Sequence, residues 1–108
     1  MITRIWHGAT PATISDEYLT LMRTVAIPDY RSTSGNKGIY ALRRIEGDTV
    51  HFLMVTFWES EVAIRAFAGD DITVAKYYDF DKDFLIELEP RSTHYEMYEQ
   101  LSPQNSGF

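Results

Sequence analysis

The chain has 108 residues, a formal net charge of −6 and no cysteine. Its length points to one domain able to bury roughly 60–70% of the surface that the unfolded form exposes. The acidic balance argues against a nucleic-acid partner, and the missing cysteines exclude disulfides, thiolate ligands and thiol nucleophiles.

From the N-terminus, "MITRIWHGATP" has no long apolar run, so neither a signal peptide nor a membrane span is expected, and the expected location is the cytoplasm. Residues 2–8 alternate loosely and read as a first strand, which "ATPATISDE" breaks. Ser15 or Thr13 is placed to cap a helix, and Ile14, Tyr18, Leu21, Met22 and Val25 give it one buried face over 14–26. Pro28 is expected to end that helix. "PDYRSTSGNKG", 28–38, is dense in turn formers and reads as a loop. "IYALRRI", 39–45, is a second strand, and "EGD" at 46–48 is a hairpin turn.

"TVHFLMVTFW", 49–58, is the strongest strand signal in the chain. Phe52, Met54, Thr56 and Trp58 share one face, and His51, Leu53, Val55 and Phe57 share the other. Both faces are largely apolar, so cover is expected on both. Ser60 suits an N-cap, Ala63, Ile64 and Phe67 form the apolar stripe of the next helix, and Gly69 is placed to end it. Short helical turns are expected around 72–77 and 81–86. "RSTHYEMYEQ", 91–100, reads as a last strand with His94, Glu96 and Tyr98 on one face. Residues 1–100 thus form one domain, and 101–108 a flexible polar tail. The order β-α-β-β-α-β predicts an α+β, ferredoxin-like fold with an antiparallel four-stranded sheet and helices on one face. A second copy is the economical cover for the other face, which predicts a homodimer.

No phosphate loop, nucleophile elbow or zinc-protease motif is present. His7, His51 and His94 each stand alone in their segments, so no metal is expected. His94, two residues from Glu96 on one strand face, is the candidate general base. Arg43 and Arg44 point to opposite faces: one of them can hold an anionic group, but pairing of one with Glu46 or Glu96, with the other in water, is the plainer expectation. The many aromatics read chiefly as core. Where they line a pocket, they suit a flat apolar ligand.

The stretch "FWESEVAIRAFAGDD", with "RR" before the hairpin and the late "HYE", resembles the antibiotic biosynthesis monooxygenase family over about residues 1–100. The resemblance implies a dimeric α+β barrel of ferredoxin-like protomers. In the branch that oxidises polycyclic phenols with O₂ and no cofactor, the site residues are an Asn, the Trp of "WESE" and a Tyr. Trp58 matches, while Met54 and Ile64 stand at the two polar positions. In the haem-degrading branch a Trp and a haem-ligating His correspond to Phe67 and Tyr77, so that residue set is not kept.

The resulting expectation is a small monooxygenase-like enzyme without metal or flavin, acting on a phenolic or quinone-like aromatic molecule. Trp58 and Phe67 would wall the pocket, His94 would act as base, and Tyr77 and Arg44 would orient the substrate. The alternative is a dimeric, non-catalytic binder of an apolar small molecule. A partner-binding role of the tail is a third possibility.

Overall fold

Alternation of apolar and polar residues builds the sheet. The computed structural model describes residues 1–103. Strand β1 spans Ile2–Pro11, β2 Asn36–Glu46, β3 Thr49–Trp58 and β4 Thr93–Glu96. All neighbouring pairs run antiparallel, in the order β2-β3-β1-β4. The fold is α+β and ferredoxin-like, as the element order predicts. Strand β3 keeps its predicted bounds and parity: Phe52, Met54, Thr56 and Trp58 are buried, and His51, Leu53, Val55 and Phe57 are half-buried. Its partner β1 buries Arg4, Trp6, Gly8 and Thr10 on the same side. Gly8 lies beneath the Trp6 indole, where a Cβ would sit 2.4 Å from the ring.

The first helical region differs from its prediction. A 3-10 turn at Ala12–Ile14 leads into α1, Ser15–Leu21, and neither start carries a side-chain cap. Ser15 is instead buried and donates to the Ala12 carbonyl. A π-turn, Met22–Ala26, follows α1 and runs straight into α2, Ile27–Ser32. The helix therefore passes through Pro28 rather than ending there. Proline lacks an N–H, but it sits at the start of α2, just after the wide turn, where it is tolerated. Buried Tyr18, Met22, Ala26 and Tyr30 recur every four residues, a spacing that the widened turn sustains. Val25, expected inside, is 41% exposed for the same reason. The expected loop at 28–38 shrinks to three residues between α2 and β2.

Helix α3, Glu61–Ala68, behaves as its sequence predicts. Ser60 accepts from the Ala63 N–H, and Gly69 caps the end with φ 100°, a conformation that favours glycine. Ala63, Ile64 and Phe67 are buried against the sheet. The segment after α3 is mostly irregular. No helix forms at 72–77, where Val74 instead makes an isolated bridge to Arg91. The expected turn near 81–86 is α4, Asp81–Phe84. Asp81 is 1% exposed and accepts from the Tyr18 hydroxyl at 2.7 Å and the Tyr78 N–H at 2.6 Å, which ties this segment to α1. The last strand is four residues, not ten, because pairing with β1 stops at Ile2 opposite Glu96. Of the tail expected at 101–108, residues 104–108 lie outside the described residues. No described helix is long and apolar enough to cross a membrane.

Candidate functional site

The strands divide the candidate residues between two faces. On the helix side, Trp58 is fully buried and its indole N–H donates to Thr56 Oγ1 at 2.8 Å. Phe67 stacks on Tyr30 with ring centroids 4.3 Å apart and lies 5.3 Å from the Trp58 ring. Lys76 closes this group from outside. Its ammonium sits 4.1 Å from the Phe67 ring centroid and donates to Asp29 at 2.7 Å and the Phe67 carbonyl at 2.8 Å. Burial raises the Asp29 pKa, but Lys76 and the Tyr78 hydroxyl outweigh it and hold the carboxyl below its usual range. Met54 and Ile64 are buried in the same core as Trp58.

His94 lies on the same side, paired in register with Arg4. Its Nε2 is 2.9 Å from an Arg4 guanidinium nitrogen. Arginine only donates, so this ring nitrogen is the acceptor and the ring proton is on Nδ1. Burial, then the Arg4 charge, lowers the His94 pKa below its ordinary value and favours the neutral ring. Arg4 is 1% exposed and also donates to the Ile72 and Val74 carbonyls, so it pins three segments together. Tyr77 packs edge-on to Trp6 and donates its hydroxyl to the Glu89 carbonyl. Burial pushes its pKa up to about 12, so it stays a hydrogen-bond donor. The structure therefore brings Trp58 and Phe67 into contact and sets His94 and Tyr77 on their side of the sheet. Arg44 faces the opposite side, where it pairs with Glu46 at 3.0 Å.

Accessible space lies elsewhere. A groove of about 420 Å³ runs between α2 and edge strand β2. Ile27, Ile39 and Ala41 form its floor, with Arg31 and Asn36 alongside. A smaller hollow continues it past Leu19 and Met22, between Arg23 and Arg43. On the open sheet face, a cleft of about 240 Å³ is lined by His7, Leu42, Arg43, Arg44, His51 and Leu53.

The residues that sequence reading missed are His7 and His51 acting together. His7 Nδ1 contacts Glu89, His7 Nε2 is 2.9 Å from His51 Nδ1, and His51 Nε2 is 3.0 Å from Glu46. The two rings have centroids 5.2 Å apart and planes 27° apart. With nitrogens 2.9 Å apart, this is an edge-to-edge hydrogen bond rather than a face-to-face stack. The parity of β3 already put His51 on this face. The sequence held no signal for its register with β1, or for the irregular segment that carries Glu89. Among the described residues, no group of three or more His, Asp or Glu converges as a metal site. Haem does not fit the positions that the resemblance singled out, because Phe67 is stacked in the core and the Tyr77 hydroxyl is committed to backbone.

No family model and no curated protein matches the chain. Among solved structures it is similar to MhuD, in a mutant form with two manganese protoporphyrin IX molecules bound per active site. The TM-score is 0.59 at 20% identity, over 95% of this chain and all of that one. At that identity the likeness is one of fold.

Proposed function

We propose that this chain binds a flat, apolar aromatic small molecule, and that it does so as a homodimer. The observation that carries the reading is the groove between α2 and β2. Its floor is apolar, and Arg31 and Asn36 supply polar contacts beside it. Its size lies within the range of small-molecule sites. The porphyrin bound by the structurally similar MhuD is also a flat, largely apolar molecule. The dimer rests on the open sheet face, where Ile5, Val55 and Phe57 are half-buried and Tyr40 and Tyr95 are 63% and 56% exposed. A second copy presenting these residues would cover them and leave the hairpin end of the face, around His51, open.

The test is calorimetric titration with polycyclic phenols and hydroquinones. Ala41 is exposed, so Ala41→Trp fills the groove without disturbing the core. Saturable binding that Ala41→Trp abolishes supports the reading. Equal affinity in that variant sinks it.

A second reading is turnover of a bound phenol with O₂, without metal or flavin. The neutral state of His94 favours it, since a general base must start unprotonated. Arg4 must first release the His94 Nε2 lone pair. The phenol O–H proton then passes to that nitrogen, and the phenolate reduces O₂. The reacting ring carbon loses its one hydrogen and the phenol oxygen loses the proton that His94 took; that carbon gains one oxygen atom as a quinone carbonyl, and the other oxygen leaves as water. Trp58 and Phe67 form the apolar wall in this reading, with Tyr77 on the same side of the sheet; Arg44 lies on the opposite face and takes no part. Oxygen uptake above autoxidation, lost in His94→Ala, supports turnover. Uptake that survives in His94→Ala removes His94 from the mechanism.

A further inference from the structure

The chain Glu89–His7–His51–Glu46–Arg44 crosses the hairpin end of the open sheet face, away from the α2–β2 groove. Its protons can be counted. Two carboxylates only accept, so each must receive an N–H from a ring, and the contact between the rings needs a third. Two neutral imidazoles carry two protons. The chain is complete only when the pair holds one more, which gives it one positive charge. Arg44 and His51 hydrogen-bond Glu46 and hold its carboxyl below the usual range. The other charged groups near the pair are Arg43, which lines the adjacent cleft, and Glu87, which lies beside Glu89.

Glu46 is gripped at both oxygens: Oε2 accepts from Arg44 at 3.0 Å, and Oε1 from His51 at 3.0 Å. This is the geometry of a carboxylate receptor. The grip is easily vacated, because Glu46 and Arg44 side chains are each 62% exposed and such ion pairs contribute little. The space beside it is apolar, floored by Leu42 and Leu53, and empty of this chain's own side chains. A ligand that joins a carboxylate to an apolar ring would replace the Glu46 contacts and add burial that Glu46 does not provide.

We propose that the cleft between Leu42 and Leu53 is a binding site for a small apolar carboxylate, held by Arg44 and His51 in the place that Glu46 now fills. Glu46 is then an internal competitor, and removing it strengthens binding. The experiment is calorimetric titration of the full chain with 2-naphthoate and with its neutral counterpart, 2-naphthalenemethanol. Naphthoate is expected to bind wild type and, equally, Ala41→Trp, which separates this site from the groove. Glu46→Ala is expected to tighten it about tenfold, the gain from freeing a site occupied about nine-tenths of the time. Arg44→Ala and His51→Gln are expected to weaken it about tenfold. The proposal is overturned if Glu46→Ala leaves affinity unchanged or lowers it. It is equally overturned if the alcohol binds as well as the acid, if Ala41→Trp abolishes naphthoate binding, or if no form of the protein binds naphthoate.

Discussion

The two faces of one sheet are made by alternate residues of the same strands, yet they are finished differently. On the helix face most large groups have found partners within the chain: Trp58 with Thr56, Phe67 with Tyr30, Arg4 with two carbonyls and His94, while the buried Trp6 indole N–H and Arg4 Nε have none. On the open face apolar residues stay half-covered, and an exposed glutamate occupies a two-cation grip. The difference teaches where to look for exchangeable contacts. A side chain whose hydrogen bonds are all internal and dry is expensive to recruit for a ligand. One that is held by an exposed carboxylate is not.

Mutations that treat the faces unequally test this contrast. The largest effect is expected from Trp58→Ala, which removes a fully buried indole and leaves a cavity. Chemical denaturation should show a loss of about 3–5 kcal/mol. Phe57→Ala, one residue away on the open face, should cost less than half as much. Equal losses would mean that the faces do not differ in packing.

Val55→Glu should convert the proposed dimer to monomers in sedimentation without loss of helical signal, because it charges the open face alone. A wild-type protein that sediments as a monomer would remove the second copy from the picture. Tyr18→Phe should cost about 1–2 kcal/mol by depriving buried Asp81 of a donor. Burial raises the Asp81 pKa, while the Tyr78 N–H and Tyr18 hydroxyl act the other way. Its stabilising contribution is therefore present below the unfolded pKa and lost as pH rises through the folded one.

The smallest effect is a slope. His94 has a folded pKa below its ordinary 6.5. Its contribution to stability is present above that ordinary value and lost as pH falls through the lower folded one, because the unfolded chain takes the proton first. His94→Gln should flatten the stability profile in that window. A profile that keeps its slope would place the titration elsewhere.

Much of this was legible in the sequence for physical reasons. The two-residue period of β3 fixed both of its faces, and Ser60 and Gly69 marked the ends of α3 because caps are local chemistry. Pro28 misled, because its effect depends on the turn before it, and nothing in "MRTVA" announces a π-turn. The candidate site was legible only in pieces. Arg44 and Glu46 lie two residues apart on one strand, and their pairing was anticipated. His7 and His51 are 44 residues apart and meet only through the register of β1 and β3. His94 and Glu96 do share a side, but the nearest charged group to His94 is Arg4, which only the sheet pairing reveals.

The π-turn at Met22–Ala26 carries a consequence for how this helix tolerates change in length. A residue added to a regular helix rotates everything after it by about 100°. A single wide turn absorbs such a residue in place, so the far half keeps its orientation. In this chain that half delivers Tyr30 onto Phe67 and Asp29 to Lys76. Removing one residue from 22–26 would tighten the turn and bring the Pro28 ring against the carbonyl of the preceding turn. The helix is, in effect, spliced: a spacer of one residue keeps its two halves in phase with a core that neither half could fill alone.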